Sequence, residues 1–209
     1  MAIWTVMSAI AASALDVPSL VLARPHLHLR WIVPISRWTL LSGVVLLVFS
    51  LLSWRRVASA LGWRRKPTLL TLLALTMALS LTLSPRDWLR NHRSLHQCLP
   101  SDWAGFGHSM LHVGTSVESL LNIVLLMPLG YGLVVASRRA VWPSVLMVTL
   151  PAAIELLQVI IPGRECSPSD WAANALGGLI GVVAGVLVNR RLRRARHARE
   201  DQRETMVEA

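Results

Sequence analysis

The strongest constraint on this chain is the recurrence of apolar, nearly uncharged runs of helix length, each closed by arginine or tryptophan. Five are plain: Trp38–Trp54, Thr68–Ser84, Val117–Ala136, Val141–Ile161 and Trp171–Val188. Each has about the length that crosses ~30 Å of hydrocarbon at ~1.5 Å per residue. A sixth run, Ile3–Leu22, contains Asp16 and Pro18 and reads as a first span ended near that proline. Its first residues carry no Lys or Arg, unlike a secretory leader. One such run fits inside a soluble core, but five or six do not. Only 15% of residues are charged, against about 25% in soluble domains. The expected fold is all-α, a polytopic transmembrane helix bundle of five to six spans occupying residues 1–188. A basic tail, 189–209, follows as a helix extension that frays.

The tryptophans fall at span edges, where a ring with one polar N–H prefers the interface: Trp38, Trp54, Trp88, Trp142 and Trp171. Threading six spans puts the segments 55–66, 137–140 and 189–209 on one side. They hold 14 of the 21 basic residues, so that side reads as cytoplasmic and both termini as inside, in a plasma (inner) membrane. The net charge of +10 then reflects anionic lipid surfaces, and nucleic acid is not an expected partner.

Polar residues interrupt the last spans at one depth. Glu155 lies about 9 Å below the outer end of its helix, with Gln158 at i+3 on the same face. Arg164 and Asp170 occupy the following loop, and Asn174 begins the next helix. Glu118 and Asn122 stand at the outer end of Val117–Ala136. A carboxylate at mid-bilayer costs about 2.5–3.5 kcal/mol, so these groups must answer one another or face a cleft. Interhelical hydrogen bonding worth about 0.6 kcal/mol per contact is the simpler alternative. Ala173, Gly177, Gly181 and Gly185 form a small-residue stripe that admits a close helix neighbour. The short outer loop nominates Val141–Ile161 as that neighbour.

The blocks "NIVLLMPLGYGL" (Asn122–Leu133) and "IELLQVIIPGRECSPSDWAANALGGLIG" (Ile154–Gly181) resemble the VanZ-like membrane proteins. The family pattern is roughly N-x-x-L-F-x-P-L-G, then E-x-x-Q, P-x-R and D-x-x-x-N before a glycine-rich helix. Asn122, Pro128 and Gly130 match its first block, and Glu155, Gln158 and Arg164 its second. Asp170, Asn174, Gly177, Gly178 and Gly181 match its third. The VanZ-like part is thus 117–188. Met127, where the family usually has an aromatic, and Cys166 and Trp171 in the loop depart from the pattern. The resemblance implies a cell-envelope protein whose name-giving relative is associated with reduced susceptibility to teicoplanin-type glycopeptides. It carries over no catalytic role.

Three functions fit these residues. The leading one is binding of an amphipathic ligand at the outer leaflet: a lipid-linked wall precursor, a phospholipid headgroup or a lipoglycopeptide. Asn122, Glu155, Gln158, Arg164, Asp170 and Asn174 would form the site, with the Arg164 fork on a phosphate or carboxylate. The second is a membrane enzyme acting on such a headgroup, with Glu155 as acid or base. The third is a structural partner of a wall-synthesis complex that uses the small-residue stripe as its face. No cofactor or phosphate-loop motif is present. The His92/His96 and His108/His112 pairs, with Asp102 or Cys98, read as solvated loop residues and not as a zinc site, so no metal is expected. Cys98 and Cys166 both fall on the outer side, where a disulfide between them would be permitted. Oligomeric state is not legible.

Overall fold

A computed structural model of the chain describes residues 36–85, 113–161, 164 and 166–208. They form five helices, and there is no strand among the described residues: α1 (Arg37–Ala60), α2 (Arg65–Thr82), α3 (Val117–Ser137), α4 (Val141–Gln158) and α5 (Pro168–Glu208). Four of them, α1, α3, α4 and α5 up to Glu200, are long and apolar enough to cross a membrane. The helix α2 occupies the expected run at 68–84, but its 18 residues begin with Arg65 and Lys66. Residues 3–22 lie outside the described residues. At 41 residues, α5 is about 60 Å long, twice the hydrocarbon thickness. It continues unbroken past position 188 to Glu208, so the basic tail is helical rather than frayed.

Local chemistry sets the helix ends. Ser36 and Ser116 cap α1 and α3, their hydroxyls accepting from Thr39 N–H at 3.2 Å and Ser119 N–H at 3.1 Å. Ser167 opens α5, with Pro168 at the first helical position where a missing N–H costs nothing. Arg138 ends α3 in the left-handed region (φ 59°) and donates its N–H to Val134 O. On α1, the Arg37 guanidinium stacks over Trp38 and that of Arg55 over Trp54. The two rings stand about 24 Å apart along the axis, a spacing suited to the two interfaces of a bilayer.

On α1 the packing is inverted relative to a soluble protein. Large side chains such as Leu40, Leu41, Val44, Val48 and Leu52 are exposed along α1, whereas small and hydroxyl side chains are buried. The antiparallel α1–α2 seam is built from hydroxyls: Ser50 meets Thr76 at 2.9 Å and Ser42 meets Ser84 at 3.0 Å, with Gly43 against Ser80 between them. At the centre, α3 is flanked by α2 and α5. Gly132 of α3 admits Thr71 of α2. Leu126, Leu129, Leu133, Met147 and Val182 fill the core with Ala74 and Ala78.

The small-residue stripe of α5 faces α3, not α4. A Cβ at Gly177 would lie 1.9 Å from Ile123 O, and one at Gly181 would lie 2.0 Å from Met127 O. A Cβ at Gly185 would meet Val134 and Tyr131, and Ala173 is fully buried. Partner numbers rise together, so α3 and α5 run parallel in backbone contact. Loop length does not choose the neighbour, because closest approach goes to the helix whose carbonyls fill the absent side chains. Antiparallel α4 takes the adjoining face of α5, with Met147 against Gly178.

The basic segments meet at one end of the bundle. Arg64 N–H donates to Ala136 O at 3.2 Å, Asn189 Nδ2 donates to Val134 O at 3.0 Å, and Trp63 stacks on Trp142 at 5.6 Å. Glu155, Gln158, Arg164 and Asp170 lie at the opposite end.

Candidate functional site

The polar end is organised around helix termini. α2 finishes in Leu81-Thr82-Leu83-Ser84-Pro85, and Pro85 has no N–H to offer the carbonyl four residues back, Leu81 O. Arg164 fills the gap: Nη2 donates to Leu81 O and Nε to Ser84 O at 2.9 Å. Gln158 Nε2 donates to Thr82 O at 2.9 Å. Leu83 N–H reaches Leu79 O, and the Ser84 hydroxyl reaches Ser80 O at 2.6 Å. A guanidinium at a helix C-terminus also meets the negative end of the macrodipole.

Glu155 serves the opposite kind of end. It is 5% exposed, so it does not face acyl chains. Its Oε2 accepts from Ser167 N–H at 2.8 Å. Ser167 is the cap of α5, its Oγ facing Asp170 N–H at 3.4 Å. In "SPSD", Asp170 holds the position from which a capping-box carboxylate normally reaches back to the cap N–H. Here a carboxylate from α4 takes that N–H instead. A charge-assisted bond contributes about 1.5–3 kcal/mol, and the positive helix end about 0.3–1 more. Together these offset the insertion cost of a carboxylate, which supplies a physical reason for Glu155 in an apolar helix. Arg164 and Asp170 both act on Glu155 electrostatically.

Beside Glu155 lies a cavity of about 170 Å³ between α4 and the start of α5, lined by Ala152, Glu155, Leu156, Cys166, Ser167, Pro168 and Trp171. Trp171 is fixed by its indole N–H, which donates to Val148 O at 3.0 Å, near the turn interrupted by Pro151. The Glu155 carboxylate takes Ser167 N–H on Oε2 while it lines this cavity. The cavity can therefore present a carboxylate oxygen and an aromatic ring to a head group that carries N–H or O–H donors.

The six expected ligand-binding residues divide. Glu155, Arg164 and Asp170 gather at the α4–α5 turn, and Gln158 joins Arg164 on the end of α2. Asn174 is buried one turn further into α5, outside the cavity lining, with no hydrogen-bond partner for Oδ1 among the described residues. Asn122 is half-buried, and among the described residues no hydrogen bond links it to the others. Glu118 is exposed in the first turn of α3. Cys166 is disulfide-bonded; Cys98, the only other cysteine of the chain, lies outside the described residues. His92, His96, Asp102, His108 and His112 lie outside them too, and no metal-holding group of His, Cys, Asp and Glu occurs among the described residues.

Two further residues shape the site, Ser167 as the cap of α5 and Trp171 through its indole contact with α4. The first was detectable, since Ser-Pro-x-Asp before an apolar run is a helix-start signature. The second depends on a contact across 23 residues and leaves no local pattern.

The family model described as VanZ/LLP1 matches residues 37–189. No curated protein and no solved structure is significantly similar to the chain.

Proposed function

Because the chain belongs to the VanZ/LLP1 family, matched from the start of α1 to the basic segment of α5, we propose that it is an envelope membrane protein that seats the polar head of an amphipathic ligand. Family membership and four long apolar helices mark a membrane protein. In this reading it lies in the plasma membrane with its basic end cytoplasmic and the Glu155 cavity in the outer leaflet. The ligand is a lipid-linked wall precursor, a phospholipid or a lipoglycopeptide, and sequestering it locally would yield glycopeptide tolerance. The cavity carries the proposal: a buried carboxylate, its Oε2 held by Ser167 N–H, lines it beside the Trp171 ring. Arg164 and Gln158 donate to carbonyls at the end of α2, and in this reading their role is to hold that end.

The structural-partner alternative loses its proposed face, because the small-residue stripe is consumed by α3 inside the chain. The test uses the purified chain in nanodiscs with lipid-linked precursor, phosphatidylethanolamine or a teicoplanin-type lipoglycopeptide, and counts retained ligand by native mass spectrometry. Wild type should retain one of them, and Ala152→Phe, which fills the cavity, should release it. Equal retention by both proteins would overturn the site. Product formation that disappears in Glu155→Gln would replace binding by headgroup chemistry.

A further inference from the structure

The basic end carries a second, independent arrangement. Four arginines converge there from three segments: Arg64 from the α1–α2 turn, Arg138 from the α3–α4 turn, and Arg193 and Arg196 from α5. Arg64 is half-buried and tethered by its backbone to Ala136 O, while Arg138 is exposed at the left-handed cap of α3. Burial, and then the charges of Arg138, Arg196 and Arg193, hold the Arg64 guanidinium below its ordinary value. Arginine stays charged regardless, so this repulsion is a standing cost that an anion would relieve. No Asp or Glu occurs in residues 55–66, 137–141 or 189–199.

Helix termini add to the field. Both helices that begin at this end, α2 and α4, start without a side-chain cap and without an acidic first turn. The three that begin at the other end start at serine, and two of them, α3 and α5, also carry an acidic residue in the first turn. The stacked Trp63–Trp142 pair lies at the same level. From there Val141, Val145 and Val148 run down α4 as an exposed apolar stripe. Phosphate chemistry above an apolar stripe fits a glycerophospholipid better than a soluble anion.

We infer that Arg64, Arg138, Arg193 and Arg196 form a site for the phosphate of an anionic glycerophospholipid in the leaflet at the basic end. It differs from general surface attraction in being local to four residues. The full chain is reconstituted in phosphatidylcholine nanodiscs with increasing phosphatidylglycerol, and lipids surviving mild detergent are counted by native mass spectrometry. Wild type should retain phosphatidylglycerol selectively. Arg64→Gln with Arg138→Gln should lower retention about thirtyfold, at roughly 1 kcal/mol per arginine. Arg193→Gln with Arg196→Gln, on an exposed helical stretch, should do the same without touching the fold. Arg199→Gln with Arg203→Gln makes an equal charge change further along the tail and should have little effect. If this control lowers retention as much, attraction is diffuse and the site is refuted. Equal stabilisation by glycerol 3-phosphate in pure phosphatidylcholine discs would also refute it, in favour of a small-anion site.

Discussion

Arg164 donates to the Leu81 carbonyl the hydrogen that Pro85 is unable to supply. A residue of the α4–α5 loop thereby completes a helix more than eighty positions earlier. Arg164→Ala should leave two carbonyls unpaired and cost about 2–6 kcal/mol, from about 1–3 per group. Lys should recover only part, having no planar fork. Pro85→Ala restores an N–H four residues after Leu81, so it should soften the Arg164→Ala loss. Thermal melts over this double-mutant cycle check the coupling; simple additivity would show that the two residues do not share the carbonyl.

Glu155→Gln keeps an acceptor for Ser167 N–H, whereas Glu155→Ala removes it. The glutamine variant should melt within about 1 kcal/mol of wild type and the alanine variant about 1–3 kcal/mol lower. Hydrogen exchange at the start of α5 is the sharper readout. Ser167 N–H should exchange faster in the alanine variant alone.

Gly177→Ala and Gly181→Ala should each destabilise the bundle by about 1–3 kcal/mol or more. Their new methyls would collide with the backbone oxygens of Ile123 and Met127. At Gly185 the nearest atom, at 2.9 Å, is a side-chain carbon of Val134, so Gly185→Ala should be the mildest of the three. Detergent-solubilised yield and melting temperature measure the order.

Ser50→Ala should cost only about 0.6 kcal/mol, the average for interhelical hydrogen bonds in membranes. Thr76 Oγ1 keeps a second acceptor in Leu46 O at 3.3 Å. A melt lowered several-fold more than this would mean that the hydroxyl seam, and not apolar packing, holds α1 on α2.

The five helices, the basic end and the polar end opposite it could be read in one dimension. Apolar run length, tryptophan edges and arginine counts are local quantities, and bilayer thickness turns them directly into helices. The glycine stripe was equally visible, because its four-residue period is a property of one helix. Its partner was not. Choosing α3 over α4 depends on which backbone can approach within contact of an absent side chain, and chain connectivity says little about that.

The same division runs through Glu155, Gln158 and Arg164. Residue type and depth alone announced that such groups need partners in an apolar medium, because an unsatisfied polar atom there is costly. Which atoms they satisfy emerged only from three dimensions. Thr82 O, Ser84 O and Leu81 O lie 76 to 83 positions away, and a helix end becomes a hydrogen-bonding demand only when folding withdraws it from water.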